Sequence, residues 1–327
     1  MASSFIRPWE RCKLESTRSQ QCYNFNIATH REFYISEIAF FMTNDHTRQE
    51  TQRLKQLPSL SPNIQRLLSS CGDPNITQTA LAEILSESPT IAARLLGLAN
   101  SAFFGQQGHV HSLMNAISVL GLVTVRSVAV SLSLSGMFRV KHCPHFKAER
   151  FWISSIMTAL MANEINAAIR EELRPAADSV YMAGLLHNIG LLALVQLYPV
   201  KMELAFIGYE ENPGRNLGEY IKDRLDATHY QAGVWVGSKW HLPEDVLLVM
   251  EYHYDLSYRG KHWPLVLLEG ICARWASQII DGQDELSPET ESLSALGLPK
   301  ERVEVLWRQM RNRLKSIQEI ASLFDKD

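Results

Sequence analysis

The residues best placed to do chemistry are His187 and Asn188, side by side in the apolar run Tyr181–Leu194 and followed by Gly190. Adjacent His and Asp at such a place would give a divalent cation a nitrogen and an anionic oxygen, leaving metal-bound water available for hydrolysis. Here the second residue is a carboxamide. Its oxygen can touch a metal, but it brings no negative charge and cannot act as a base, so the pair keeps the shape of a hydrolytic centre and loses its chemistry. His229 and His253 fall on two further predicted helices, and three converging imidazoles can hold zinc. No carboxylate accompanies them at motif spacing, which favours the other reading: partly buried histidines satisfied by hydrogen bonds. The expectation is no metal and no cofactor.

Other chemistries have less behind them. Cys12, Cys22, Cys71, Cys143 and Cys272 are odd in number and widely spaced, with no CxxC pair and no zinc-ligand spacing, so they read as reduced thiols. They lack a nearby histidine pattern, the serines lack a strand-turn-helix elbow, and Gly-rich phosphate loops are absent. Thr77–Leu98 has the lengths of a helix-turn-helix, but its second helix offers only Thr90 and Arg94 among Ile91, Ala92, Ala93, Leu95, Leu96 and Leu98. Such a face suits a core better than base edges, so nucleic acid is not the expected partner.

These residues must be positioned by helices. At 327 residues the chain can bury roughly three quarters of its unfolded surface, enough for one large domain or two intimate lobes. Hydrophobic residues at 46%, charged residues at 20% and a net charge of -3 argue against wholesale disorder and against a general pull toward nucleic acid or anionic lipid. No uninterrupted apolar run approaches the roughly 18 to 20 residues of a membrane span, and Met1–Arg18 has no apolar core of a secretory signal; the expected compartment is the cytoplasm.

Residues 1–45 show no sustained period and read as an extension of uncertain structure. Met42 opens a polar stretch resembling an ordinary protein start, so the expected native product could begin there. From Leu57 onward nearly everything reads as helix. Start signals stand at Ser61-Pro62, Thr77, Ser88-Pro89 and Thr228, with a stop at Gly121. The pattern predicts a helical lobe over 46–140, then a connector, Phe138 to Arg150, read as solvated although its basic residues could contact a phosphate. A second helical lobe spans 141–281, opening with a helix from Phe151 to about Glu172. A C-terminal region over 282–327 has one amphipathic helix from Pro299 to Phe324. No β pattern appears, and the fold class is all-α.

The stretch Leu185-Leu186-His187-Asn188-Ile189-Gly190 resembles the signature of HD-superfamily metal-dependent phosphohydrolases with the aspartate changed. Leu57–Pro62, Ile91–Gly105, Ala116–Gly121, His229–Gly233 and Lys239–Pro243 together resemble HDOD, the degenerate HD-related output domain. The resemblance covers about Leu54 to Ile280. It implies a helical N-terminal lobe packed on an HD-like lobe, and an output or scaffold role in bacterial signalling. Against the catalytic family, the first metal position falls at Ser154, the pair at His187-Asn188 and the last position at Ala273. Where versions with more metals add histidines, this chain has His229 and His253-Tyr254. Three of four ligand positions are lost, and with both carboxylates goes most of the charge that would compensate a divalent ion.

The resulting expectation is a non-enzymatic regulatory module. Its partner would be a signalling protein, bound through a groove between the lobes or through the amphipathic C-terminal helix, which also makes self-association possible. The surviving pocket of Ser154, His187, Asn188, His229, His253, Tyr254 and Ala273 would hold helices in register, or take a small anionic ligand. The alternatives are a divergent phosphohydrolase or nucleotide-binding sensor with a residual histidine site, and a DNA-binding regulator.

Overall fold

A computed structural model describes residues 59–324, apart from 72, 74, 105–108, 139, 141–142, 213 and 287–288. The irregular N-terminal stretch and the Met42 start lie outside the described residues. Leu57–Asp327 forms one compact unit, and every regular element described in it is helical.

Local chemistry starts these helices where the sequence places the signals. Ser61 accepts from the Ile64 amide and Pro62 occupies the first turn of α1 (Pro62–Ser70); Thr77 accepts from Ala80 N at the start of α2 (Gln78–Ser86). Both side chains satisfy amides that the first turn of a helix leaves without partners. Pro89 opens α3 (Pro89–Ala99), and Ser112 caps α4 (Leu113–Leu120). Gly121, with φ of 84°, turns the chain into α5 (Leu122–Ser135), a backbone conformation open to glycine at little cost. These five helices pack on one another as the first lobe.

The second lobe is built on α6 (Ala148–Asn166), against which α7 (Ala177–Leu186) and α13 (Trp263–Ile280) pack closely. Between them run α8 (Ile189–Leu197), α9 (Pro199–Glu211), α10 (Leu217–Leu225), α11 (His229–Lys239) and α12 (Glu244–Tyr252). The lobes meet through α5 and α7. There the buried Arg126 side chain donates to Ser70 O at 2.7 Å and pairs with Asp178 at the start of α7. Only the Arg126 end is buried, the Asp178 side chain being 38% exposed, and removing Asp178 would leave a buried guanidinium without its counter-charge.

Several expectations are corrected. The apolar run around His187 is two helices, broken at His187 and Asn188; burial on both sides of the break left no hydrophobic period to reveal it. Together Ala177–Leu197, although interrupted by Asp178, His187 and Asn188, are long and apolar enough to cross a membrane by length and composition, but 83% of that stretch is buried inside the fold. The helix expected to reach Glu172 ends at Asn166, whose side-chain amide turns back to Pro175 O at 3.0 Å. The connector is anchored at some of its described residues, while Pro144, Lys147, Glu149 and Arg150 are exposed. Cys143 and Phe146 are buried, Phe146 packs on Phe151 and Phe206, and Glu203 accepts from His145 N at 3.0 Å and Nδ1 at 2.5 Å.

The C-terminal region is three helices, α14 (Thr290–Leu296), α15 (Lys300–Asn312) and α16 (Leu314–Ala321), with the last break at Arg313. Its apolar side packs on the fold: Val303, Leu306, Met310, Ile317 and Ile320 are buried, and α15 and α16 pack on α6.

Candidate functional site

His187 terminates α7 and Asn188 precedes α8; His229 is the first residue of α11, and His253 follows α12. Close backbone approaches bring them together. A Cβ added at Gly190 would stand 2.0 Å from His229 O and 2.4 Å from Gly233 N, and one at Gly270 would stand 2.2 Å from His253 O. Only glycine allows α8 to lie so near the start of α11, or α13 so near the end of α12. A capping box of Thr228 and Gln231 holds the turn on which His229 sits, satisfying two otherwise unpaired amides.

The His187 and His253 rings meet edge to face with centroids 4.9 Å apart. Tyr230 packs 3.9 Å from His229 and 5.2 Å from His253. Tyr254 then stacks on Tyr230 at 4.3 Å and is 48% exposed, so the pair covers the cluster on its outer side. Arg274 donates to Tyr254 O at 3.2 Å and reaches Glu289 at 3.4 Å.

Both nitrogens of His187 are engaged. Nδ1–H donates to Gly184 O at 2.7 Å, and Nε2 accepts from the Asn188 amide at 2.8 Å. Nδ1–H of His253 donates to Val249 O at 2.8 Å, while His229 Nδ1 and Asn188 Oδ1 are buried without a partner. Of these four side chains only the neighbours His187 and Asn188 bond each other, and ring packing joins the rest. Burial pushes His187 down to about 4, against the opposing pull of the Gly184 carbonyl. It pushes His229 down to about 3, with His187 adding to the effect, and His253 well below its ordinary value. All three imidazoles are neutral at pH 7, because a charged ring would lose its hydration with no anion to compensate.

The two remaining expected residues add no donor. Ser154 is half-buried on α6, and its carbonyl accepts from Thr158. Ala273 is half-buried on α13. The donor set does not fit the divalent ion of the catalytic family. The His187 lone pair is taken by an N–H donor, no carboxylate joins the imidazoles, and no group of three or more His, Cys, Asp and Glu side chains among the described residues is arranged to hold a metal. The basicity left to His187 and His229 is also too low for a general base near pH 7. Cys143 offers no nucleophile, since burial, reinforced by Glu203, pushes its thiol up to about 12.

Sequence reasoning missed two residues. Tyr230 lies within His229–Gly233, where nothing local marks it as the covering ring. Glu269 was overlooked, although a lone acid in Leu265-Val266-Leu267-Leu268-Glu269-Gly270-Ile271-Cys272 is a signal in itself. It is 0% exposed, neither carboxylate oxygen has a partner, and it lies beside Gly184. Burial pushes its pKa well above the ordinary value, favouring the neutral acid.

With that geometry in place, known proteins can be compared. The HDOD domain matches residues 57–256. A Marinobacter aquaeolei VT8 protein named for signal transduction has a crystal structure similar to this one, with a TM-score of 0.73 and 26% identity, over 83% of this chain and 60% of that one. A Shewanella amazonensis SB2B protein named as a phosphohydrolase shares the fold with a TM-score of 0.67 and 20% identity, over 86% and 99% of the two chains. A Geobacter sulfurreducens HDOD domain protein does so at 0.61 and 18%, over 83% and 93%. A Treponema pallidum (strain Nichols) protein is 25% identical over 232 residues, which are 70% of this chain and 43% of that protein. The chain thus spans under half the length of its Treponema relative.

Proposed function

The chain belongs to the HDOD domain family, and on that footing we propose that it is a non-catalytic regulatory module of bacterial signalling, working in the cytoplasm through contacts with a signalling protein. The observation that carries the reading is the hydrogen bond from the Asn188 amide to His187 Nε2. In the catalytic relatives the corresponding pair would face a metal; here one member closes the other. The Tyr230–Tyr254 cover supports the same reading, because metal-assisted hydrolysis needs an activated water and an open face. The Marinobacter protein's name agrees with a signalling role.

The rival reading is a divergent phosphohydrolase, suggested by the name of the Shewanella protein; at 20% identity that likeness speaks for the fold, and fold does not decide chemistry. Metal content per chain, measured after purification from metal-supplemented cells, separates the two when paired with turnover of bis(p-nitrophenyl) phosphate and cyclic dinucleotides in Mn²⁺. The expected result is far less than one metal per chain and hydrolysis no faster than the buffer blank. One metal per chain, lost together with turnover in His187→Ala, would establish the enzyme instead.

A further inference from the structure

The C-terminal helices are attached in two different ways. Up to Arg311 they are stapled by polar contacts: Arg170 donates to Ala295 O at 3.1 Å, Arg274 pairs with Glu289, and Arg311 pairs with Asp284. Beyond the break at Arg313 the staples stop. Among the described residues no side-chain hydrogen bond or ion pair joins Leu314–Phe324 to another element. The segment is held by apolar packing and by Arg313, whose guanidinium lies 5.1 Å from the Phe103 ring centre.

The place where α16 sits is the seam between the lobes. From the second lobe, Trp152 stacks on Phe324 at 4.7 Å, with Ile156 and Leu160 beside it; from the first come Leu98 and Phe104. Gly97 of α3 also faces this segment, a Cβ there lying 3.6 Å from Leu323. Ile320 and Phe324 dip into the seam, and a narrow crevice remains between them and these walls. Ile317, Ile320 and Phe324 are buried, whereas Lys315, Gln318, Glu319 and Ser322 face out. This is the arrangement of an amphipathic helix laid in an apolar groove, with Ile317 and Ile320 one turn apart on the helix and Phe324 in the turn that follows its end.

We propose that α16 is a displaceable internal occupant of the interlobe groove, and that the groove beneath it accepts a partner's amphipathic helix bearing two aliphatic anchors and a terminal aromatic at the same spacing. The inference rests on the protein-contact role proposed above and gives that role its surface. Arg313 is the hinge: the backbone already departs from the helix there, and Leu314–Phe324 can leave without breaking a side-chain polar contact to another described element.

Hydrogen exchange on the unmodified chain is the first test. Amides of Ile317–Phe324 should exchange at least tenfold faster than those of Ile156–Leu160, and equal protection would overturn the proposal by making α16 part of the core. Next, a fluorescein-labelled peptide of residues Leu314–Phe324 is titrated into the full-length chain carrying Ile320→Asp, with anisotropy as readout. Saturable binding is expected, at least tenfold tighter than to the unaltered chain, and weaker when the peptide carries Phe324→Ala. A variant that loses its cooperative unfolding transition, or that stays folded and binds no peptide, would refute the proposal. Either failure leaves a non-catalytic role through another surface intact, while metal-dependent turnover would end that role without altering the peptide result.

Discussion

The histidine cluster and the interlobe seam each join distant parts of the chain, by opposite means. At the cluster, glycines bring backbones into direct contact, so polar rings are locked among neighbours with little freedom to move, and several buried polar atoms go without partners. At the seam, side chains of ordinary size meet across an imperfectly filled crevice, and among the described residues no side-chain polar link joins α16 to it. Backbone-to-backbone contact tolerates no added atom. Apolar side-chain contact can be made, broken and remade with another helix of similar pattern. The rigid site is therefore the poor candidate for regulation by a partner and the looser one the better, although the family resemblance first draws attention to the histidines.

The strongest challenge to this contrast is Gly190→Ala. With a Cβ 2.0 Å from His229 O, α8 and α11 must separate, and a loss of about 3 kcal/mol or more in unfolding free energy is expected from overpacking that the backbone cannot relieve. Urea denaturation measures it, with Gly214→Ala, where no atom lies within 4 Å, as a near-neutral control. A loss under about 1 kcal/mol would mean that the cluster yields as easily as the seam.

A smaller effect comes from pH. The imidazoles of His187, His229 and His253 have folded values below the ordinary one, so below about pH 6.5 the unfolded chain binds protons that the folded chain refuses. Their contribution to stability is intact above that pH and falls progressively toward about 4 and 3, the folded values of His187 and His229. Each group changes stability by about 1.4 kcal/mol per pH unit at most. Glu269 has the opposite sign. Its raised folded value means that the folded chain keeps a proton the unfolded chain releases above about pH 4.3, and stability is lost as pH rises from there. Glu269→Gln should therefore stabilise the protein by at least about 1 kcal/mol at pH 7 and by much less at pH 4, read from urea midpoints at the two pH values. An equal change at both would show that the acid is not held neutral.

Much of the fold was legible because its signals are local. Ser61, Thr77, Ser88-Pro89, Gly121 and Thr228 act within one helical turn, and their helices begin or end where those residues stand. The carboxamide beside His187 was legible for the same reason, being a matter of residue type alone. Illegible features depend on contacts far apart in sequence. Nothing near His145 announces Glu203, which clamps the connector from α9, and nothing near His253 announces the Gly270 crossing that brings it to His187. The breaks at His187-Asn188 and Arg313 carry no proline or glycine at the break itself. Apolar residues on both sides of each are buried by tertiary packing, so periodicity could not show them.

The central claim is that His187 has been closed by its own neighbour, and ¹⁵N NMR of the imidazole nitrogens reads this directly. The account predicts a His187 ring with its single proton on Nδ1, remaining neutral down to pH 5, with an Nε2 resonance that equimolar Zn²⁺ or Mn²⁺ leaves in place. Displacement or broadening of the Nε2 signal by one equivalent of metal, with Nδ1 still protonated, would contradict it.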